Sequence, residues 1–353
     1  MSIFLNFSKL QSRFFVFICL LTILLFLSGF FIIVTALPLA YATLKEGRRF
    51  GIGATLISFL ILILLYKGLI PILGGHAQLQ WLPLLLSLPG FGLLEIYGPS
   101  AVLGVGILCF IYYLVLSWAM VVAAGQRWSV EKTYLFLTAG PLLFCVGIVI
   151  LFSGAYGFDI FVETQKYLLY IQDKLVNLDQ KSGLSGDELV FLKQFGQEMI
   201  HHVVILLPVI ILNMTLFIVW CNLFVARRWI KGLLAFENFG DLTCWQLKDQ
   251  WIWALIGSLG LLFANAYFLK FPTVTFLASN VLFFVLFLYF FQGLSIVAYY
   301  LKKRGSLLLK VSLYLVIFIF FQLSIVVIIV MGVFDLWVDF RKLRRIQTVK
   351  EKV

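Results

Sequence analysis

Charged residues are scarce in this chain. Asp, Glu, Lys and Arg make up 12% of its 353 residues, against 63% for hydrophobic types, 37 of them Phe. A soluble domain of this length needs a polar exterior with about a quarter of its residues charged, so a water-soluble globular protein is excluded. Cysteine is sparse as well: Cys19, Cys109, Cys145, Cys221 and Cys244 lie far apart, with no C-x-x-C pair. That spacing offers nothing for a zinc site or a disulfide framework, and free thiols acting as small hydrophobes are expected. Catalytic signatures are missing too. There is no G-x-S-x-G, no H-E-x-x-H and no G-x-x-x-x-G-K-[ST]. No enzymatic activity, resident metal or cofactor is therefore expected, and active transport would need an ion gradient or a separate ATPase partner.

What the chain does contain is apolar residues in runs of fifteen to thirty, the length that crosses a bilayer. The expected fold is all-α: a polytopic transmembrane helical bundle of about 8–9 spans, forming one integral membrane domain over 1–353. The net charge of +11 sits in short clusters beside the apolar runs, at Lys45/Arg48/Arg49, Arg227/Arg228/Lys231, Lys302/Lys303/Arg304 and Arg341/Lys342/Arg344/Arg345. Such clusters mark cytoplasmic loops and contact anionic lipid head groups. No soluble basic domain exists to carry nucleic-acid binding. The apolar stretch Phe14–Leu39 is far longer than a signal-peptide core, so retention as a membrane segment is expected.

Along the chain, residues 14–44 would form either a hairpin broken at Ser28-Gly29 or one long helix kinked at Pro38. The hairpin would gather Lys9 and Arg13 beside Lys45, Arg48 and Arg49, as the bias of basic residues toward one side favours. GRRFGIG (47–53) spaces glycines for close helix approach. Residues 67–99 hold Pro71, Pro83, Pro89 and Pro99 among many glycines, so a broken or re-entrant segment is expected there. Residues 157–200 carry seven acids and four lysines, with Phe161, Leu168 and Leu175 recurring every seven residues. They read as an extracytoplasmic amphipathic helical hairpin inserted between spans, its second helix striped by Leu189, Leu192, Phe195 and Met199. Residues 227–250, rich in Trp, Phe and Lys, read as a cytoplasmic interfacial connection.

Few residues suit chemistry inside a bilayer, where ionisable groups default to function. Glu95 lies in the Pro/Gly-rich segment, and a re-entrant fold would turn it to a cavity with Lys67 and His76 at the mouth. Asn265 is a further candidate ligand for a solute. Amides such as Asn213, Asn222, Asn280, Gln292 and Gln322 are expected mainly to bond neighbouring helices. His201 and His202 are adjacent on a helix and point about 100° apart, unsuited to sharing a metal. The stretch MGVFDLWVDFRKLRR (331–345) pairs Asp335 and Asp339 with four cations; Trp337 suits the head-group layer and Arg341 lipid phosphates. Asp335, Trp337, Asp339 and Arg341 are thus expected to be an interfacial anchor, with Asp339 in reach of Lys342.

NLFVARRWIKGLLAFENFGDLTCWQLKDQW (222–251), FQGLSIVAYYLKKRG (291–305), MGVFDLWVDFRKL (331–343) and ALPLAYATLKEGRRFGIGA (36–54) resemble the YybS-like family of uncharacterised bacterial integral membrane proteins. The resemblance implies a multi-pass protein of a bacterial cytoplasmic (inner) membrane, and it brings no catalytic or binding residues with it. GLIPILGG (68–75) and GPSAVLGVG (98–106) are more distantly similar to substrate-binding subunits of energy-coupling-factor vitamin transporters, and to small rod-shape membrane proteins. In the transporters these segments line a cavity closed by a loop. This chain is longer, with extra spans and the 157–200 hairpin. Two functions are therefore expected: a transport-type protein holding a small solute in its N-terminal half, or a non-enzymatic envelope scaffold acting through membrane partners.

Overall fold

A computed structural model describes residues 9–75, 94–126, 128–181, 186–229, 242–303 and 319–343, with 306, 311–312 and 315–316. All regular structure among the described residues is helical. The chain divides into two compact units, Met1–Ile200 with Met214–Asn238, and His201–Asn213 with Phe239–Val353.

The first unit opens with α1 (Lys9–Leu27), a 3-10 turn (Phe31–Val34) and α2 (Ala36–Glu46). Ser28 ends α1: its hydroxyl donates to the Leu25 carbonyl at 2.7 Å and accepts from the Phe31 amide at 3.1 Å. Gly29 then takes φ +68°, a conformation that favours glycine. Gln11 donates to Glu46 across 3.4 Å and the Lys45 ammonium lies 4.8 Å from the Phe14 ring centre. The ends of α1 and α2 therefore meet, which selects the hairpin over the kinked helix. Pro38 falls in the first turn of α2, where a missing N–H breaks no helical bond.

A turn at Gly47 leads to α3 (Arg48–Gly75), and a Cβ at Gly51 would collide with Thr43, so this glycine lets α2 and α3 close up. Ile18, Cys19, Leu39, Ala42, Phe50 and Ala54 form the shared core. The 76–93 part of the Pro/Gly-rich segment, and with it the expected re-entrant fold, lies outside the described residues. Then α4 (Leu94–Ala124) breaks at Gly98 (φ 79°, ψ −179°) before its apolar stretch begins. Gly106 of α4 sits directly under the Tyr66 ring of α3. Ser129 caps α5 (Val130–Tyr156), which ends on left-handed Gly157.

The 157–200 region forms the expected pair of polar helices, α6 (Ile160–Lys181) and α7 (Gly186–Ile205). Asp159 caps α6 by accepting from the Phe161 and Val162 amides at 2.9 and 3.3 Å. Gln172 donates to the Lys193 carbonyl at 2.6 Å and crosses over Gly196, holding the helices together. Thereafter α8 (Leu207–Trp229) follows almost without a loop; the chain enters the second unit within α7 and leaves it within α8. In the first unit, Asn222 of α8 donates to the Ile33 carbonyl at 2.7 Å, and Tyr112 of α4 to Thr215 at 3.2 Å.

The second unit is built on α9 (Trp251–Ala264), a π turn (Asn265–Leu269), α10 (Pro272–Lys303) and α11 (Phe321–Val338). Ile252, Leu255, Val285 and Tyr289 make its core. Six helices among the described residues are long and apolar enough to cross a membrane: Arg48–Gly68, Ser100–Ala124, Glu131–Tyr156, Leu207–Arg227, Trp251–Leu269 and Pro272–Lys303. Only 17–39% of their most apolar stretches is buried inside the protein, as suits helices surrounded by lipid. Gln11–Leu27 and Gln322–Val338 are apolar but shorter.

Candidate functional site

In the second unit, α10 and α11 touch backbone to backbone. A Cβ on Gly293 would collide with the Ile328 carbonyl, and one on Gly332 with the Tyr289 carbonyl. This close approach brings Gln292 and Ser295, on the inner face of α10, against the last turns of α11. There Asp335 is 1% exposed and Arg341 2%.

The local chain explains how Arg341 gets inside. After α11 the backbone reverses through two residues with positive φ, Asp339 (+46°) and Lys342 (+56°). The Asp335 carboxylate accepts from the Phe340 amide at 3.0 Å, and Asp339 accepts from the Leu343 amide at 3.0 Å, so the reversal is capped twice. Arg341 is thereby turned back toward the helix it has just left. Its Nη2 reaches Asp335 Oδ2 at 2.7 Å; its Nη1 donates to the Thr243 and Trp245 carbonyls, both at 2.9 Å, and to Ser295 at 2.7 Å. Gln292 donates to Asp335 at 3.2 Å and accepts from the Leu247 amide at 3.3 Å. Two opposite charges buried this completely are tolerated only when paired and hydrogen-bonded. The node ties α10, α11, the tail turn and residues 243–247 into one piece.

Of the four residues expected as an interfacial anchor, two lie within this node. Asp335 and Arg341 face inward, because the left-handed turn at Asp339 returns the chain to the protein instead of releasing it along the surface. Trp337, 63% exposed, faces outward. Sequence reasoning missed Ser295; its signal was the pair Gln292 and Ser295, three apart on one face of an otherwise apolar run.

Of the remaining candidates, Asn265 and Lys67 fall among the described residues. Asn265 (6% exposed) is consumed by the α9–α10 turn: its amide donates to the Phe271 carbonyl at 3.1 Å and to Thr275 at 2.7 Å, and accepts from the Phe271 amide at 2.8 Å. It holds a connection between spans and has no outward-facing ligand atom. Lys67 is exposed near the end of α3, while His76 and the side chain of Glu95 lie outside the described residues. Beside Glu95 in sequence, the Tyr97 hydroxyl donates to the Glu163 carboxylate on α6. That bond pushes the Tyr97 phenol up to about 12, while the Lys166 ammonium at 2.7 Å, and then the Tyr97 hydroxyl, hold the Glu163 carboxyl below its ordinary value. His201 and His202 are both exposed, with ring centres 5.9 Å apart.

The surface presents a second feature, on α7. Leu189 and Ile200 turn toward the protein, but Phe191 (65% exposed), Leu192, Phe195 (53%) and Met199 form an outward ridge. The Phe191 and Phe195 rings stack with centres 6.1 Å apart. Asp187 and Glu188 crown the ridge, and together with Phe191 and Leu192 they line a shallow open concavity of about 450 Å³.

A family model described as "Predicted membrane protein (DUF2232)" matches residues 92–336. The chain belongs to that family. The matched region runs from just before α4, through the polar hairpin, to Leu336; it includes Asp335 and stops short of Arg341. No curated protein and no solved structure matches this DUF2232 chain. It is thus a helical membrane protein embedded in lipid, of a family named by its membrane character.

Proposed function

We propose that the chain is a non-enzymatic scaffold of a bacterial cytoplasmic membrane that assembles with a partner protein through its polar hairpin. The observation that supports this best is the outward ridge of α7. A contiguous ridge of large apolar side chains on a polar helix is the usual mark of an interaction surface, since burying each such side chain is worth roughly 1.5–3 kcal/mol. The finer relationship to the YybS-like family is consistent with this reading. So is a topology of eight or nine crossings, which requires Gln11–Leu27 and Gln322–Val338 to cross as well.

A photo-crosslinking residue placed at Phe195 or Met199 in cells is expected to give a discrete protein adduct that weakens when Phe191 is changed to Ala. The same residue at lipid-facing Leu143 should give none. Absence of a discrete ridge adduct, or indifference to Phe191→Ala, overturns the proposal.

A second reading is solute binding in the N-terminal half. It is favoured by the resemblance at 68–75 and 98–106, and by the Gly98 break with Tyr97 clipped to the hairpin next to the Pro/Gly-rich segment. Native mass spectrometry of the detergent-purified protein would show a bound metabolite, lost on Glu95→Ala, if this reading holds.

A further inference from the structure

We propose that the α7 ridge takes a basic amphipathic segment of a partner protein, in preference to a lipid surface, an acidic segment or a second copy of this chain. The inference rests on the docking reading above and adds the chemistry of the partner. Charge carries it. Residues 157–200 hold seven acids against four lysines, whereas the rest of the chain holds 23 basic residues and nine acids. The hairpin is the acidic element of a basic protein. Lys193, the basic residue in the middle of α7, lies 3.7 Å from Asp173 of α6.

The geometry matches a cation flanked by apolar residues. Asp187 and Glu188 share the shallow concavity with Phe191 and Leu192, so a side chain seated there meets carboxylates and an aromatic ring together. An ammonium or guanidinium satisfies both, through charge and through the ring face. From Phe191 to Met199 the ridge runs about 12 Å, the length of roughly two helical turns. A partner helix with an i, i+3/i+4 apolar stripe and Lys or Arg at one end covers it. Anionic head groups would be repelled by the same acids, and two parallel hairpins would set acid against acid.

The test uses the full chain in phosphatidylcholine nanodiscs. Two fluorescent helical peptides carry the same Leu/Phe stripe, one flanked by Lys and the other by Glu, and binding is read by anisotropy against empty nanodiscs. The Lys-flanked peptide should bind at least about tenfold more tightly, with the advantage shrinking at roughly 0.5 M salt. The double variant D187K/E188K should reverse the preference, and F191A/F195A should weaken both peptides; all changed positions are exposed, and an unchanged melting temperature confirms that each variant is folded. Equal, ridge-dependent binding of both peptides would overturn the basic-partner inference while leaving docking intact. Binding of neither peptide, or binding unaffected by F191A/F195A, would remove the docking reading as well. Stronger association of the ridge with phosphatidylglycerol vesicles, or self-association abolished by F191A/F195A, would instead assign it to lipid or to a second copy.

Discussion

Arg341 Nη2 lies 2.7 Å from Asp335 Oδ2, and both side chains are wholly removed from solvent. They stand six positions apart, so the pair is made by a reversal of the chain and not by helical spacing. Removing one partner leaves a buried charge without compensation, which typically costs about 3–5 kcal/mol. Arg341→Met is therefore expected to lower the melting temperature of the detergent-solubilised protein strongly. The double change Asp335→Leu with Arg341→Met should recover much of that loss, because a buried pair is often no better than apolar residues of similar volume. Arg341→Lys should behave like a loss: one ammonium cannot serve Asp335, Ser295 and the carbonyls of Thr243 and Trp245 in the fixed fork geometry of a guanidinium. Melting temperatures that do not distinguish single from double variants would show the pair to be uncoupled.

Gly293 and Gly332 put the α10 and α11 backbones in contact, so neither position has room for a methyl group. Alanine at either is expected to push the helices apart, at a cost of at least about 1–3 kcal/mol and with loosening of the Asp335 node below. At Gly147 and Gly257 a methyl group would meet nothing within 4 Å, and alanine there should be neutral or slightly stabilising. Thermal unfolding of the four variants side by side checks the contrast, and equal effects would refute it.

The lengths of the apolar runs and the seven-residue recurrence in 157–200 made the helical membrane fold and the polar hairpin legible from sequence. Ser28-Gly29 likewise marked the break in 14–44. The inward turn of Asp335 and Arg341 was not legible, because acids beside cations at the end of an apolar run look the same whether they clamp lipid or each other. What decides is the set of partners, and these lie between 43 and 98 positions away, at Gln292, Ser295, Thr243 and Trp245. The ridge of α7 was legible as a stripe but not as an outward one. Leu189 and Phe191 are two residues apart and end on opposite sides, a choice made by Gln172 crossing at Gly196.

Asn280 of α10 splints the junction between α7 and α8. In a continuous helix the Val209 amide would bond to the Ile205 carbonyl. Here the Asn280 amide stands between them, donating to Ile205 at 2.9 Å and accepting from Val209 at 3.1 Å. Pro208 cannot donate a backbone hydrogen bond, which weakens the same turn further. Asn280→Leu leaves two backbone groups without partners, each worth about 1–3 kcal/mol when buried. Faster amide hydrogen exchange confined to residues 205–210 is expected. Exchange that stays unchanged there would mean that the helix closes on itself without the splint.

The Tyr97–Glu163 bond predicts a pH window for fastening the hairpin to the start of α4. Glu163 is held below its ordinary value of 4.5, so its contribution is full above that value and is lost as pH falls through the lower folded one. Tyr97 is raised from 10.0 to about 12, so its contribution is full below 10 and is lost as pH rises through 12. Between these limits the link is intact and insensitive to pH. Tyr97→Phe removes one of the two hydrogen bonds that favour the ionised carboxylate, and the Glu163 value should rise toward 4.5 while Lys166 still holds it partly down. The difference between the tyrosine absorbance titrations of the wild type and Glu163→Gln should isolate one phenol whose ionisation moves from about 12 back toward 10 when the carboxylate is removed. A phenol that titrates identically in both proteins would show that the carboxylate does not hold it.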